Sequence, residues 1–237
     1  MTALEIQYRI RSAPVRPWPF DHIVVENALP GDVYRDIRAN LPPIEVYKTL
    51  SDLGRVTPGA YPERHVFFLD PARLDRLSLI DQAKADFWAG VSEWLLSEEF
   101  LRAMIAPFAE ALRRRFNGQV SLKAEACLMR DLPGYALGPH TDKRIKVVSA
   151  LFYLPGGDDL EDGPIGHLGT SLYVPKDRAF TCAGGPHYPV DGFDKVTTIP
   201  FRPNTLFAFP KTERSFHGVE RTARPRDLLL YDVFEAA

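Results

Sequence analysis

The second half of the chain is a succession of short β-type runs separated by turn signals, and this pattern limits the fold more than any other feature. Each run is rich in β-branched and aromatic residues, while Gly, Pro, Asn and Asp cluster between the runs. No segment of helix length interrupts this half. The predicted strands are Val120–Met129, Lys146–Leu154, Thr170–Val174, Lys195–Pro200, Asn204–Phe209 and Arg226–Phe234. Such a series predicts an all-β sandwich or barrel of jelly-roll type.

Helical patterns are confined to the first half. Residues 31–40 carry apolar side chains at helical spacing, and the prolines at 42 and 43 end this predicted helix. A longer helical region is predicted to begin at Asp70, which can serve as the N-cap before Pro71 at the first helical position. Residues 48–63 instead carry Gly, Pro, Ser and Asp and are predicted to form a loop.

Together the two halves predict an α+β fold, in which a jelly-roll core (a double-stranded β-helix) carries N-terminal helices on one sheet. No Gly/Ser-rich linker and no internal repeat divides the chain. We therefore predict one domain over residues 1–237, with a mainly helical support in 1–118 and the core in 119–237. A single core of this size buries roughly 70–75% of the unfolded surface, so a metal is not needed for stability. A metal site would therefore serve chemistry.

Composition excludes several classes of function. Lys and Arg number 29 against 31 Asp and Glu, and their mixing along the chain disfavours a nucleic-acid partner. Cys127 and Cys182 stand far apart, which indicates reduced packing thiols in a cytosol rather than a disulfide framework. No apolar run approaches the roughly 20 residues of a membrane span, and the first residues lack a signal-peptide apolar region. We expect a cytoplasmic protein without a membrane partner; the sequence carries no signal for its oligomeric state.

Three residues form a candidate metal site. His140 and Asp142 lie on the same side of an extended chain, so an imidazole and a carboxylate can converge on one ion. His217, just before the last predicted strand, can supply a third ligand. Two His and one carboxylate on one face leave positions open, the arrangement of non-haem Fe(II) oxygen chemistry. The alternative is a hydrogen-bonded pair of His140 and Asp142 at a strand end.

Arg226 strengthens the metal hypothesis. It follows His217 by nine residues, at the start of an apolar strand. An arginine that points into a barrel is costly unless a carboxylate meets it, and its fork suits a bidentate carboxylate. The alternative is a surface position, because arginines at 214, 221 and 224 crowd the same hairpin.

With these motifs the sequence resembles the Fe(II)- and 2-oxoglutarate-dependent dioxygenases, in particular their prolyl-hydroxylase-like branch. The similar segments are Arg130 to Asp142, Val148 to Pro155, Gly169 to Pro175, and Ser215 to Glu220 with Arg226. They cover about half of the chain, and residues 20–43 are similar to the N-terminal segment of bacterial members.

The resemblance implies a role for each matching residue. His140, Asp142 and His217 would bind Fe(II), and Arg226 would pair with the distal carboxylate of 2-oxoglutarate. Tyr153 falls where a strand tyrosine assists that arginine in the family. Strand alternation puts it on the same side as Ser149 and Leu151. The alternative is that Tyr153 is an ordinary core residue. Dioxygen would be the second co-substrate, with succinate and CO2 as products.

Two positions bear on the reaction. Many members have a tyrosine ten residues before the first His, where this chain has Arg130. Arg130 is therefore a candidate to contact 2-oxoglutarate or an anionic group of the substrate. Halogenating members carry a small residue at the position of Asp142, so the carboxylate favours hydroxylation.

The substrate is not specified by the motifs. The loops at 158–166 and 181–194 are rich in Gly and Pro and are expected to line the mouth of the site. His167 and His187 are candidates to contact the substrate there, and the alternative is that both are simply solvated. We expect a small-molecule substrate, since no separate peptide-binding module is present. The alternatives are a peptidyl hydroxylase, a cupin-like metalloprotein, and a jelly-roll that binds a carbohydrate or protein without catalysis.

Overall fold

The structure is a computed structural model that describes residues 2–70, 81–117, 120–156 and 166–236. In these ranges it contains five α-helices and eleven β-strands. The helices are α1 (Thr2–Arg11), α2 (Gly31–Ala39), α3 (Gln82–Leu95), α4 (Glu98–Ile105) and α5 (Ala109–Phe116). The strands are β1 (Ile23–Glu26), β2 (Lys48–Thr49), β3 (Arg64–Phe68), β4 (Leu122–Asp131), β5 (Leu137–His140), β6 (Lys146–Tyr153), β7 (Thr170–Pro175), β8 (Phe193–Ile199), β9 (Thr205–Pro210), β10 (His217–Val219) and β11 (Arg226–Glu235).

The strands form two antiparallel sheets. The larger sheet has the order β1-β9-β6-β11-β4-β3-β2, and the smaller has the order β5-β10-β7-β8. Leu172 and Ile199 of the smaller sheet share one apolar cluster with Phe207 and Leu228 of the larger sheet. The two sheets therefore pack face to face.

Strand alternation divides the larger sheet into two buried faces. Along β11, Leu228 belongs to the cluster between the sheets, whereas Leu229, Tyr231 and Val233 belong to a second cluster shared with the helices. The second cluster includes Trp88 of α3 and Phe100 of α4. Burial on both faces explains why this strand is an almost continuous apolar run in the sequence.

Local capping fixes two of the helices. Asp81 is the N-cap of α3 and accepts a hydrogen bond from the Lys84 amide, and Ser97 caps α4 through the Phe100 amide. The predicted helix start at Asp70 and Pro71 involves residues 71–80, which lie outside the described residues. No helix in the described ranges is both long and apolar enough to cross a membrane.

The prediction of mixed helix and antiparallel sheet content is confirmed, and all six predicted strands and the helix at 31–40 occur within two residues of their expected bounds. Five elements were not predicted, namely α1, β2, β3, β5 and β10. Helix α1 was missed because residues 2–11 mix charged with apolar positions. The strands β3, β5 and β10 were missed because they are short, and β5 and β10 contain Gly or Pro. The interval 48–63 was predicted as a loop but begins with β2.

Candidate metal centre

Two short strands bring the imidazoles of His140 and His217 together. His140 ends β5, His217 begins β10, and the two are direct partners in the antiparallel pair. Their ring centroids are 4.3 Å apart. Gly218 permits this approach, because a Cβ there would lie 2.5 Å from the Leu137 carbonyl oxygen. The glycine that made β10 hard to recognise therefore allows the histidines to meet.

Asp142 completes a compact donor group. It lies two residues beyond His140, and one ligand atom of each of the three side chains lies within 4.8 Å of the others. All three residues are buried. The structure thus brings the three predicted metal ligands together in a 2-His-1-carboxylate group.

Backbone carbonyls orient both imidazoles. The Nδ1–H of His140 donates to the Gly138 carbonyl at 3.0 Å, and the Nδ1–H of His217 donates to the Ser215 carbonyl at 3.0 Å. A carbonyl can only accept, so each Nε2 is left with its lone pair. This arrangement is typical of metal-binding histidines, whose second nitrogen is held by a hydrogen bond.

The charge states also suit a cation. Burial lowers the pKa of His140 well below its ordinary value, with a further contribution from His217, and burial likewise lowers the pKa of His217. Burial alone would raise the pKa of Asp142, but Lys146 and the two imidazoles outweigh it and lower that pKa. Neutral imidazoles and an ionised carboxylate are the forms that bind metal.

A second set of side chains holds the Asp142 carboxylate. Ser149 Oγ donates to Asp142 Oδ2 at 2.7 Å, and Lys146 Nζ lies 3.4 Å from Oδ1. Lys146 also pairs with Asp232 at 2.7 Å. These contacts restrict the rotation of the carboxylate and leave the donor group preorganised.

Arg226 lies in the core between the sheets with an unsatisfied guanidinium. Its side chain has no exposed surface, and none of its three nitrogens has a hydrogen-bond partner among the described residues. Its Nε lies 3.5 Å from Asp131 Oδ2, and its guanidinium carbon lies 5.5 Å from the Phe201 ring centroid. Unpaired buried donors of this kind are costly.

Asp131 does not neutralise Arg226 alone. The same carboxylate accepts two hydrogen bonds from Arg64, one from Nε to Oδ1 at 2.7 Å and one from Nη2 to Oδ2 at 2.9 Å. Two guanidinium groups thus share one carboxylate, and the cluster of Arg64, Asp131 and Arg226 carries one excess positive charge. The described residues offer this charge no further carboxylate.

Tyr153 lies beside this cluster on the inner face of β6. Burial raises its pKa, and the charge of Arg226 opposes the shift. Its hydroxyl donates to Thr170 Oγ1 at 2.8 Å and accepts from the Thr170 amide at 3.2 Å. The predicted inward orientation is therefore found, and the hydroxyl joins β6 to β7 of the facing sheet.

The structure does not bring Arg130 to the site. On β4, Asp131 faces the core between the sheets, so alternation turns Arg130 to the helix-covered face. There Arg130 donates two hydrogen bonds to the Asp227 carboxylate, from Nε at 2.6 Å and from Nη2 at 3.0 Å. Asp227 also forms an ion pair with Arg38 at 3.3 Å. The contact with the ligand was predicted from the ten-residue spacing between Arg130 and His140, which does not show the face of the strand that Arg130 occupies.

A cleft of about 300 Å³ opens onto His140 and Asp142. Its walls are largely apolar, and its charged side chains include the ion pairs Arg55–Glu125 and Lys146–Asp232. His187 lies at the cleft with its ring centroid 4.6 Å from that of His140, and it is hydrogen-bonded to the Tyr61 hydroxyl. His167 lies on an exposed turn, and residues 157–165 of the other predicted mouth loop are outside the described residues.

Sequence reasoning missed two residues near the site, Asp131 and Tyr135. Asp131 is the counter-ion of Arg226, and Tyr135 lines the cleft with a buried hydroxyl. The available signals were the polar end of an apolar strand and an aromatic residue five positions before His140. Neither signal indicates a function without the register that aligns Asp131 with both Arg64 and Arg226.

No family model matches the chain, and no curated protein matches it in sequence. Its fold is similar to that of solved structures. A prolyl 4-hydroxylase from Phytophthora capsici has a TM-score of 0.55 and 13% identity over 99% of this chain and 65% of that chain. A prolyl hydroxylase from Trichoplax adhaerens, solved with a hypoxia-inducible-factor peptide, has a TM-score of 0.51 and 13% identity over 98% of this chain and 89% of that one. The α-ketoglutarate-dependent carbocyclase SnoK from nogalamycin biosynthesis has a TM-score of 0.50 and 13% identity over 100% of this chain and 87% of that chain.

Proposed function

We propose that this chain is a non-haem Fe(II)- and 2-oxoglutarate-dependent dioxygenase that hydroxylates an unactivated C–H bond of a small molecule. We assign its two sheets to a jelly-roll core within a single domain over residues 1–237. Similarity in fold to two prolyl hydroxylases and to a non-haem α-ketoglutarate-dependent carbocyclase supports the assignment. Function is argued from the site, because one fold hosts many activities.

His140, Asp142 and His217 would hold Fe(II). The donor types, their mutual approach within 4.8 Å and the carbonyl contacts of both Nδ1 atoms support this role. Iron bound there would supply the activation of dioxygen, coupled to oxidation of 2-oxoglutarate to succinate and CO2. The carboxylate of Asp142 favours hydroxylation over halogenation, because it fills a coordination position that a halide would need.

Arg226 is the observation that carries the proposal. A fully buried guanidinium without a hydrogen-bond partner, in a cluster with one excess positive charge, requires an anionic ligand. One carboxylate would satisfy its donors and balance that charge. A dicarboxylic 2-oxo acid would bind the metal with its keto-acid end and Arg226 with its distal carboxylate. Tyr153 would support Arg226 by its position rather than by a direct hydrogen bond.

The remaining residues position and protect the reactants. Ser149 and Lys146 hold the Asp142 carboxylate, and the apolar walls of the cleft exclude water from the reacting C–H bond. A cleft of about 300 Å³ accommodates a small molecule or one side chain of a peptide. The small molecule is favoured because the cleft is small and largely apolar, and three of its four cations, Arg55, Arg64 and Lys146, are paired with carboxylates.

Two other classes compete with this proposal. A cupin-like protein would be expected to carry His-x-His and a Glu in place of the His140 and Asp142 motif. A non-catalytic jelly-roll would neither need a metal nor contain a buried unpaired arginine. Metal content therefore separates the second class from the proposed one.

The proposal is tested by succinate release. Purified protein is incubated with Fe(II), 2-oxoglutarate and dioxygen across panels of small molecules and peptides, and succinate is measured. Activity stimulated by one panel member, lost in Asp142→Ala and kept in His167→Ala, supports the proposal. Full turnover in Asp142→Ala with added Fe(II) would contradict the metal assignment, and a peptide as the only stimulating substrate would favour the peptidyl hydroxylase.

A further inference from the structure

Tyr135 has a buried hydroxyl with no hydrogen-bond partner in the part of the chain that the structure describes. The residue is 1% exposed, yet it lines the cleft that contains His140. A tyrosine hydroxyl that is removed from water usually finds a partner, because an unsatisfied one costs about 1–3 kcal/mol. Because Tyr135 lines the cleft, its hydroxyl is free to bind a ligand there.

The neighbours of Tyr135 are cationic. The guanidinium carbon of Arg64 lies 4.1 Å from its ring centroid. Burial raises the pKa of Tyr135, the positive charges of Arg64 and Arg226 act against the shift, and Asp131 reinforces it. Tyr135 thus belongs to the surroundings of the cluster formed by Arg64, Asp131 and Arg226.

The loop that carries Tyr135 is fixed by backbone hydrogen bonds. The Thr222 amide donates to the Tyr135 carbonyl at 2.8 Å, and the Gly134 amide donates to the Thr222 carbonyl at 2.7 Å. Arg221 adds a bond to the Gly134 carbonyl at 2.9 Å. Tyr135 is therefore held in place by the connection between β10 and β11, the strands that carry His217 and Arg226.

In the described part of the chain, no acceptor takes a hydrogen bond from this hydroxyl. Asp131 is the carboxylate of the cluster, and both of its oxygens already receive Arg64. Arg226 adds three nitrogens that only donate. The surroundings of Tyr135 thus hold unpaired donors and one excess positive charge, and both features are complementary to a carboxylate.

We propose that the Tyr135 hydroxyl donates a hydrogen bond to the distal carboxylate of 2-oxoglutarate, beside Arg226. This inference rests on the proposed function. It assigns to Tyr135 a contact that would position 2-oxoglutarate. Arg130 cannot make such a contact in this chain, because it lies on the opposite face of β4 and pairs with Asp227. The anchor for the co-substrate then consists of one guanidinium from β11 and one phenol from the loop before β5.

The test is the affinity for two ligands measured by calorimetry without dioxygen. The protein is loaded with Mn(II), and 2-oxoglutarate is compared with 2-oxobutyrate, which lacks the distal carboxylate. Tyr135→Phe should weaken 2-oxoglutarate binding roughly 10-fold or more, the loss expected for a hydrogen bond to a charged group, and leave 2-oxobutyrate binding unchanged. The matched control is Tyr231→Phe, another buried tyrosine with an unpartnered hydroxyl, on the helix-covered face; it should change neither affinity.

A second measurement excludes a purely structural role. Removal of an unsatisfied hydroxyl should leave the melting temperature of ligand-free Tyr135→Phe unchanged or higher. Unchanged 2-oxoglutarate affinity in Tyr135→Phe, or equal losses for both ligands, would overturn the assignment of Tyr135. A wild-type protein that binds neither ligand would instead contradict the proposed function itself.

Discussion

Arg226 and Asp131 form an ion pair in which neither side chain has any exposed surface, with Nε 3.5 Å from Oδ2. The register of the larger sheet produces this pair, because Asp131 on β4 is the direct partner of Arg226 on β11 and of Arg64 on β3. Three adjacent strands thus place two cations and one anion in the core. The unbalanced charge is tolerable when a ligand supplies a second carboxylate.

Arg226→Met is expected to abolish the effect of 2-oxoglutarate on thermal stability. The ligand loses its charged partner, and its affinity should fall roughly 100-fold, as when one member of a buried charge pair is removed. The ligand-free variant should be no less stable than the wild type, because an unsatisfied buried cation is removed. Arg202→Met, at an exposed pair with Glu26, is the control; an unchanged 2-oxoglutarate affinity in Arg226→Met would remove this residue from the site.

Asp131→Asn is expected to destabilise the fold by about 3–5 kcal/mol, because it leaves Arg64 and Arg226 buried without a counter-charge. The free energy of unfolding in urea measures this loss. The exposed pair of Arg202 and Glu26 supplies the control, since Glu26→Gln should cost at most about 1 kcal/mol. Equal stability of the two variants would show that the buried cluster does not depend on Asp131.

Ser149→Ala is expected to weaken metal binding without abolishing it. Its hydroxyl holds Asp142 Oδ2 at 2.7 Å, and loss of such an outer contact typically costs roughly 10-fold or more in metal affinity. Competition with a chelator measures the affinity for Fe(II) or Mn(II). Ser171→Ala, a buried serine bonded to Thr198 in the smaller sheet, is the matched control and should leave the affinity unchanged.

Arg130→Met separates the two faces of β4. The variant loses its two hydrogen bonds to Asp227. Because solvent partly screens this ion pair, the loss should lower the free energy of unfolding by about 1 kcal/mol. Its affinity for 2-oxoglutarate should equal that of the wild type. A large loss of that affinity would return Arg130 to the site and contradict the orientation described above.

The metal-free protein is expected to lose stability as the pH falls through 6.5, the ordinary pKa of histidine. Burial is the main cause that lowers the pKa of His22, His140, His187 and His217 in the folded state. Below pH 6.5 the unfolded chain therefore binds more protons than the folded chain and is favoured. Urea unfolding at pH 7.5 and at pH 5.5 tests this, and a free energy of unfolding that rises at pH 5.5 would contradict it.

Much of the metal centre was predictable because its determinants are local. His140 and Asp142 lie on one side of an extended segment, and the distance of Arg226 from His217 fits a short connection between two consecutive strands. What the sequence could not supply was register. Arg130 and Asp131 are neighbours in the chain, and only the position of β4 between β3 and β11 determines which of them faces Arg226.

Tyr135 illustrates a second limit. Its loop has no periodic pattern, and its hydroxyl acquires significance only because Thr222, far along the chain, holds the loop beside the cationic cluster. Non-local hydrogen bonds of this kind leave no signal in a single sequence. The same holds for β5 and β10, which are too short to be predicted although they carry His140 and His217.

A crystal structure of the protein grown without dioxygen, in the presence of Mn(II) and 2-oxoglutarate, tests the proposed site directly. We expect an anomalous peak bound by His140, Asp142 and His217, with the distal carboxylate of the ligand on Arg226. A metal bound elsewhere, or a ligand whose distal carboxylate does not contact Arg226, would contradict the proposed site.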